Sequence, residues 1–111
     1  MAIYAIAKLR VSREENMPRA VYIMASDRYG TLYVGYANDL LKRVWEHKTK
    51  VVAGFTRKHQ VDKLVWFEVH ESVIAGRTRE RQIKKWNRDW KVNLIQSTNP
   101  EWKDLYLDFT A

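Results

Sequence analysis

Two short β-prone runs, residues 20–25 and 31–36, flank the pentapeptide SDRYG, which is rich in turn-forming residues. This pattern predicts a β-hairpin. Each run carries a tyrosine, Tyr22 in the first and Tyr33 in the second. Because side chains alternate between the faces of a strand, a loop with an even number of residues places both tyrosines on one face. A four-residue loop would pair them directly, and a five-residue loop would place them on opposite faces.

A helix is expected directly after the hairpin, with Asn38 or Asp39 as its N-cap and an end near residue 48. Its apolar residues recur at helical period and form one stripe: Leu40, Leu41, Val44 and Trp45. Arg43 and His47 are four residues apart and therefore lie together on one edge of that stripe. The helix would present a guanidinium and an imidazole on the same side.

The sequence after this helix predicts a loop, a strand and a covering tail. Residues 49–60 are basic, are centred on Gly54 and are expected to be irregular. Residues 63–69, KLVWFEV, predict a third strand. The tail is irregular at Asn99 and Pro100. It then supplies large apolar side chains to the core: Trp102, Leu105, Tyr106 and Phe109.

Ser72 can cap a second long helix, which reaches about residue 86 and continues or restarts over residues 87–95. On a helical wheel Glu80 falls on the inward side of this helix. Four other residues share that side: Val73, Gly76, Ile83 and Asn87. A buried carboxylate is costly unless it is paired, protonated or bound to a metal ion. The alternative to a functional carboxylate is a salt bridge at the helix surface with one of three basic neighbours: Arg77, Arg79 or Lys84.

The predicted order of elements indicates a small α/β (α+β) fold, in which a three-stranded sheet begins with a hairpin and is flanked by helices. The length of 111 residues fits one domain, placed at residues 20–111. Residues 1–19 differ from the rest, with a short apolar run before a polar stretch that contains Pro18. They are expected to be an N-terminal arm, an added edge strand, or an extension upstream of a translation start at Met17.

The charge balance favours a polyanionic partner. The chain has 20 Lys and Arg against 13 Asp and Glu, a net charge of +7, which favours nucleic acid first and an anionic membrane surface second. The absence of cysteine excludes a disulfide framework, a thiolate nucleophile and a Cys-zinc site. No apolar run approaches the roughly 20 residues of a membrane-spanning helix, and no signal-peptide pattern is present, so a cytoplasmic location is expected.

Several short motifs follow one another in a fixed order along the chain. They are VYI at 21–23, YVG at 33–35, NDL at 38–40, Arg43, His47, GFT at 54–56, RERQIKKW at 79–86 and NPEWKDL from Asn99. This ordered set resembles the GIY-YIG nucleases, which are named for the two strand motifs. It is most similar to small single-domain members and to the catalytic module of the excision-repair incision subunit. Val21 replaces the glycine of the first motif and Val34 replaces an isoleucine, and neither change removes a reactive group.

The resemblance implies hydrolysis of phosphodiester bonds with one divalent ion, Mg²⁺ or Mn²⁺, as cofactor. Glu80 would bind the metal, with water and substrate phosphate at the other positions. Tyr22 would be the general base for the attacking water, assisted by His47. Tyr33 would position water or phosphate, and Arg43 would stabilise the charge that develops on the phosphoryl oxygens.

The resemblance also implies a site asparagine, for which Asn99 is the first choice and Asn93 the rival. Gly35 is expected to permit close approach beside Tyr33 and is grouped with the nucleic-acid-binding residues. Basic side chains around the cleft would contact phosphates: Lys42, Lys48, Lys50, Arg57, Lys58, Lys84, Lys85 and Arg88. Nucleic acid, with DNA favoured, is the expected partner, and a repair protein is a further expected partner.

Two other hypotheses are open. The first is a non-cleaving nucleic-acid-binding or DNA-repair accessory module with the same fold and basic cleft. The second is an unrelated metal site built from Glu68 and His70, two apart on one strand face, together with His59. Taken singly, the motif tyrosines could also be ordinary strand residues, and RVWEH could be a solvated helix edge.

Overall fold

A three-stranded antiparallel sheet forms the centre of the fold in the computed structural model, which describes residues 18–50 and 54–110. Its strands are β1 (Ala20–Ala25), β2 (Leu32–Ala37) and β3 (Lys63–Val69), in the spatial order β2-β1-β3. The predicted hairpin, third strand and flanking helices are confirmed. Most of the predicted N-terminal arm, including the alternative start at Met17, lies outside the described residues.

Helices flank this sheet in the described part of the chain. They are α1 (Leu40–Thr49), α2 (Phe55–His59), α3 (Val73–Lys85), α4 (Arg88–Thr98) and α5 (Leu107–Thr110). Asp39 caps α1 and Ser72 caps α3, each accepting a hydrogen bond from the amide three residues further on. The long second helix restarts instead of continuing, because Trp86 adopts an extended conformation and Asn87 then caps α4. None of the helices in this part of the chain is both long and apolar enough to span a bilayer.

The prediction of a loop over residues 49–60 is wrong, because part of this segment forms α2. After α1, Lys50 adopts a left-handed conformation with φ 59°, and Gly54 leads into α2 with φ 115°. Glycine tolerates that positive φ without steric cost. A helix of five residues is too short to show a hydrophobic period in the sequence.

The hairpin loop is longer than the four residues that would pair Tyr22 directly with Tyr33. Its last strand pair joins Ala25 to Leu32, so residues 26–31 form a six-residue loop. Ser26 and Thr31 close this loop, with one main-chain hydrogen bond of 3.0 Å and a second of 2.9 Å from the Thr31 amide to the serine hydroxyl. The expectation that an even-numbered loop places the motif tyrosines on one face is confirmed, but their direct pairing is wrong.

Each face of the sheet has its own hydrophobic core. The first face packs mainly on α1 and the C-terminal tail, and its core contains Ala20, Tyr22, Met24, Leu40, Val44, Leu64, Phe67, Leu105 and Phe109. The second face packs on α3 and α4, and its core contains Val21, Ile23, Val34, Tyr36, Val65, Trp66, Ile83, Ile95 and Trp102. A β-bulge shifts the register of β3 between the partners of Ile23 and Met24. As a result, the consecutive residues Val65 and Trp66 belong to the same core.

Three residues that the helical patterns predicted to face inward are exposed. Trp45 and Val73 have 51% and 43% of their surface accessible, and Asn87 is also exposed. Val73 lies in the first turn of α3, whereas the buried residues of that helix begin at Gly76. Asn87 belongs to the break between α3 and α4, where the helical wheel no longer applies.

Candidate active site

The two motif tyrosines are diagonal neighbours on one face of the hairpin. In the strand register Tyr22 is opposite Gly35 and Tyr33 is opposite Met24, and the centroids of the tyrosine rings are 6.3 Å apart. A Cβ atom at Gly35 would lie 2.6 Å from both the Cζ atom and the hydroxyl of Tyr22. Gly35 is buried, and the function visible here is to admit the Tyr22 ring. A contact between Gly35 and nucleic acid stays a prediction.

A chain of two hydrogen bonds links Tyr22 to α1 and α2. The Tyr22 hydroxyl is 3.1 Å from Nε2 of His47, and Nδ1 of the same imidazole is 3.0 Å from the hydroxyl of Thr56. All three residues are buried, with accessible fractions of 0%, 5% and 5%. Because β1, α1 and α2 each supply one group, only the tertiary fold could bring this chain together.

The Tyr22 phenol is held in its protonated form. Burial raises its pKa well above the usual value near 10, and the nearby Tyr33 raises it further. Arg43 lowers the pKa through its charge and a hydrogen bond, whereas the charge of Glu80 raises it. A free phenolate is therefore not available at neutral pH, and Tyr22 can take a proton from water only if its own proton moves to a neighbour.

His47 is suited to receive that proton. Burial lowers its pKa below the usual 6.5, the positive charge of Arg43 lowers it further, and Glu46 partly offsets both effects. The imidazole is therefore neutral at pH 7 and has one nitrogen free to accept a hydrogen bond. The rings of His47 and Tyr33 also meet edge to face, with centroids 5.5 Å apart.

Arg43 lies at the mouth of this site. Its side chain is 43% accessible, and its Nε atom is 3.1 Å from the carboxylate of Glu46, three residues further along α1. The influence of the guanidinium on the pKa values of both Tyr22 and His47 shows that it is close to both groups. Arg43 is therefore positioned to meet an anionic substrate, which would compete with Glu46 for it.

Glu80 points inward, as predicted, with only 6% of its surface accessible. Its carboxylate is 2.8 Å from Nζ of Lys84 and 3.4 Å from Nη1 of Arg77. Two of the three predicted salt-bridge partners are thereby confirmed, so the residue is both buried and paired. Burial is the main cause that raises the pKa of Tyr22 on one face of the sheet and of Tyr36 on the other, and the charge of Glu80 raises both further. Glu80 lies on α3, the helix that packs against β1 and β2.

Asn99, the first choice for the site asparagine, is buried and bonded to the main chain. Its side-chain amide donates to the main-chain carbonyls of Val65, at 3.1 Å, and Lys103, at 2.8 Å, and it accepts from the Lys103 amide at 3.0 Å. These bonds join the amide to backbone groups of β3 and the C-terminal tail, so Asn99 stabilises the fold, and a role for it in catalysis stays a prediction. The rival, Asn93, is exposed on α4.

The predicted phosphate-contacting residues fall into two groups. Lys48 pairs with Asp104, Lys84 pairs with Glu80, and Arg88 donates to two main-chain carbonyls of the hairpin loop. These three take part in contacts within the protein, and their contact with phosphate stays a prediction. The other five have exposed side chains: Lys42, Lys50, Arg57, Lys58 and Lys85.

The alternative metal site is not formed. Glu68 does contact His70 at 2.8 Å, but the same carboxylate oxygen pairs with Arg79 at 3.0 Å. His59 instead packs on the ring of Phe55, with centroids 4.5 Å apart. Within residues 18–50 and 54–110, no group of three or more His, Cys, Asp or Glu side chains is arranged to hold a metal ion.

Thr56 was not identified as a site residue from the sequence. It belongs to the GFT motif, but α2 was predicted as loop, and nothing in the sequence joins a threonine to a histidine nine residues earlier. The available signal was the position of an uncharged hydroxyl residue between Phe55 and Arg57 in an otherwise basic segment.

A family model described as the GIY-YIG catalytic domain matches residues 18–93, more than half of the chain. The chain belongs to the GIY-YIG family. This confirms the resemblance inferred from the ordered motifs, and the antiparallel sheet with flanking helices agrees with the GIY-YIG fold. GIY-YIG domains are nuclease domains, so the family assignment indicates nuclease activity on nucleic acid in general.

Several relatives match most of the GIY-YIG chain. A UPF0213 protein of Syntrophus aciditrophicus is 41% identical over 83 residues, which cover 73% of this chain and 92% of the relative. A UPF0213 protein of Clostridium perfringens is 40% identical over 67 residues, covering 60% and 72%. One from Haloquadratum walsbyi is 38% identical over 77 residues, covering 68% and 84%. No solved structure matches significantly.

Proposed function

We propose that this GIY-YIG domain is a divalent-metal-dependent endonuclease that hydrolyses phosphodiester bonds, with DNA as its substrate. The observation that carries the proposal is the 3.1 Å contact between the Tyr22 hydroxyl and Nε2 of His47. It supplies a path for the proton that Tyr22 must release, and Arg43 and Glu80 are near the same phenol. General base, proton acceptor, cation and carboxylate are the groups that metal-assisted hydrolysis of a phosphodiester requires.

The proposed reaction requires the site to open to water, because the Tyr22 hydroxyl is fully buried. Tyr22 then takes a proton from the attacking water while its own hydroxyl proton passes to Nε2 of His47. The water oxygen forms a bond to phosphorus, the bond from phosphorus to the leaving oxygen breaks, and solvent protonates that oxygen. Arg43 neutralises the charge that builds on the phosphoryl oxygens in the transition state. Tyr33 lies beside the phenol and the imidazole, where its hydroxyl can orient the water or a phosphate oxygen.

The residues at the site fit a single Mg²⁺ or Mn²⁺ ion. Glu80 offers hard oxygen donors close to Tyr22, and such ions are commonly bound through one carboxylate with water and substrate phosphate completing the coordination shell. When bound, the ion supplies Lewis-acid polarisation of the phosphate and a more acidic bound water. Lys84 and Arg77 hold the carboxylate in place and would have to share it with the ion.

One observation favours a second candidate, a nucleic-acid-binding module that does not cleave alone. Both charged residues of the site are paired within the protein, Arg43 with Glu46 and Glu80 with Lys84. If substrate and metal cannot displace these pairs, the basic surface would still bind nucleic acid, but the protein would not cleave it. This candidate shares the fold and the partner with the endonuclease and differs only in turnover.

A cleavage assay tests the proposal. Supercoiled, branched and single-stranded DNA, together with single-stranded RNA, would be incubated with the full chain and either Mg²⁺ or Mn²⁺. The test variants are Tyr22→Phe, Arg43→Ala and Glu80→Gln, each expected to lose roughly 10²-fold or more in cleavage rate. Matched controls on exposed sites are Tyr29→Phe and Glu101→Gln, which should cleave like the unmodified chain.

The outcomes separate the two candidates. Cleavage that needs a divalent ion and is lost only in the three test variants supports the endonuclease. Salt-sensitive binding without any cleavage would overturn the endonuclease and support the binding module. Cleavage that persists in all three variants would reject the catalytic roles given to these residues, and cleavage of RNA alone would reject DNA as the substrate.

A further inference from the structure

The hydroxyl of Thr56 makes a buried contact with His47 that takes no part in the bond-making steps of the proposed reaction. Its oxygen is 3.0 Å from Nδ1 of His47, on the opposite side of the imidazole from Tyr22. Both His47 and Thr56 have only 5% of their surface accessible, so water does not compete for either group. A buried, hydrogen-bonded hydroxyl on the second nitrogen of a histidine is in the position that determines which nitrogen carries the proton.

The rest of the residue shows that this hydroxyl is not needed to build α2. Gly54 is the N-cap of the helix, and no side-chain capping bond is present there. The main chain of Thr56 is anchored independently, because its carbonyl accepts a hydrogen bond from the Val61 amide at 2.9 Å. Phe55 adds a second anchor, since its ring stacks on Tyr33 with centroids 6.4 Å apart. The hydroxyl can therefore bond to His47 without being required for the structure of α2.

The chemistry of the imidazole determines whether the Thr56 hydroxyl must accept or donate the hydrogen bond with Nδ1. A neutral histidine has one N–H donor and one acceptor nitrogen. For Nε2 to accept the proton of Tyr22, its lone pair must face the phenol, so the hydrogen must be on Nδ1. An N–H on Nδ1 in a buried site needs an acceptor, and the oxygen of Thr56 is within hydrogen-bond distance of it.

We propose that Thr56 is a positioning residue, which accepts a hydrogen bond from Nδ1–H of His47 and so keeps the Nε2 lone pair directed at Tyr22. This inference deepens the proposed function and rests on it for its catalytic meaning. Thr56 touches neither substrate nor reacting atoms, and it acts only through the histidine. The opposite arrangement, with Thr56 donating to Nδ1 and Nε2–H donating to Tyr22, would leave no acceptor for the phenolic proton.

The test compares two substitutions at one position. Thr56→Ser keeps the hydroxyl, and Thr56→Val keeps the shape while removing the hydrogen bond. Thr78→Val, on the exposed surface of α3, is the matched control for the loss of a threonine hydroxyl. The ¹⁵N chemical shifts and ring couplings of His47 report its tautomer in the metal-free protein, without substrate and without any need for cleavage.

The expected result is an Nδ1–H tautomer in the unmodified chain, in Thr56→Ser and in Thr78→Val, and a mixture or the Nε2–H tautomer in Thr56→Val. Cleavage by Thr56→Val should fall by about 10–100-fold in kcat, with affinity for DNA unchanged. An Nε2–H tautomer in the unmodified chain, or an unchanged tautomer in Thr56→Val, would overturn the inference. If the chain does not cleave at all, the proposed function fails, whereas the tautomer result still decides the role of Thr56.

Discussion

The phenol of Tyr22 lies directly over Gly35, so close that a methyl group on Gly35 would be 2.6 Å from the hydroxyl and from the Cζ atom. The two residues are opposed across β1 and β2, and the tyrosine is fully buried. The glycine of the second strand motif is therefore required by the tyrosine of the first. One motif provides the proposed general base, and the other provides the space that its ring occupies.

Replacing this glycine should disable the site without destroying the fold. In Gly35→Ala the new methyl must displace the phenol from His47, and overpacking of this kind costs about 1–3 kcal/mol of stability. Val34→Ala, in the same strand but facing the second core, should lose a comparable amount and keep its activity. Urea unfolding gives the stabilities, and a cleavage assay compares the variants at matched folded fractions. Equal cleavage by the two variants would contradict this role for Gly35.

Cleavage should depend on pH through His47. Because burial and Arg43 lower its pKa below 6.5, the histidine is neutral at pH 7 and loses its accepting nitrogen only in more acidic solution. The cleavage rate should therefore stay level as pH falls to 6.5 and decline at lower pH, with a midpoint below 6.5. A rate that is already half-maximal above pH 6.5 would be inconsistent with a buried neutral acceptor.

Stability should depend on pH through the same residue. The unfolded chain binds a proton on His47 near pH 6.5, whereas the folded chain resists it, so stability is complete above 6.5 and is lost as pH falls towards the lower folded pKa. Urea unfolding at several pH values between 8 and 5 measures this loss. His47→Gln should show a smaller loss over that window, and identical pH dependence in both proteins would refute the linkage.

The affinity of the site for a divalent ion should increase when a competing cation is removed. Lys84 lies 2.8 Å from the Glu80 carboxylate, so Lys84→Met should raise Mn²⁺ affinity by about two- to fivefold. Lys85→Met removes an equal charge from the next, exposed position and is the matched control. Electron paramagnetic resonance of free Mn²⁺ measures both. An equal effect of the two substitutions would show that only net charge matters and would remove the support for Glu80 as the ligand.

The exposed basic residues around α2 should contribute to nucleic-acid affinity without selecting a sequence. Lys58→Gln should reduce the slope of log affinity against log salt by about 0.9 for duplex DNA or about 0.7 for a single strand. Lys103→Gln removes one exposed positive charge from the C-terminal tail and should leave the slope unchanged. Fluorescence anisotropy over a range of salt concentrations measures both slopes. A similar reduction in each variant would mean that the interface is diffuse.

Local patterns in the sequence predicted much of the fold, because its principal strands and helices obey simple periodicities. The helical wheel directed Glu80 inward, and strand alternation placed Tyr22 and Tyr33 on one face only on condition that the loop had an even number of residues. The register of the hairpin was not predictable, because the turn residues do not determine which strand residues pair, and the hydrogen bonds that join Ser26 to Thr31 have no local sequence signal. Local patterns thus specify the two faces of each strand or helix, but not the register that relates one strand to the next.

The missed features of the site depend on tertiary contacts. Thr56 meets His47 only because a short helix folds back beneath α1, and five residues contain too little periodicity to reveal that helix. Lys48 and Arg88 looked like surface cations in the sequence, since nothing local indicates that a distant carboxylate or a loop carbonyl will bind them. Asn99 resembled a site residue because its motif matched, and the sequence does not indicate that its amide bonds to Lys103, four residues on, and to the distant Val65 carbonyl.

The β-bulge in β3 gives Asn99 a reason to be where it is. Val65 has no partner residue in the register with β1, and its carbonyl accepts a hydrogen bond from the Asn99 amide. The Asn99 side chain therefore stabilises the β-bulge. A substitution of Asn99 would remove this hydrogen bond and distort the neighbouring β1, which carries Tyr22. A mutational scan that measured activity alone would then score Asn99 like a catalytic residue. Measuring the folding stability of each variant together with its activity would separate the effect of Asn99 on the sheet from the effects of the proposed site residues on cleavage.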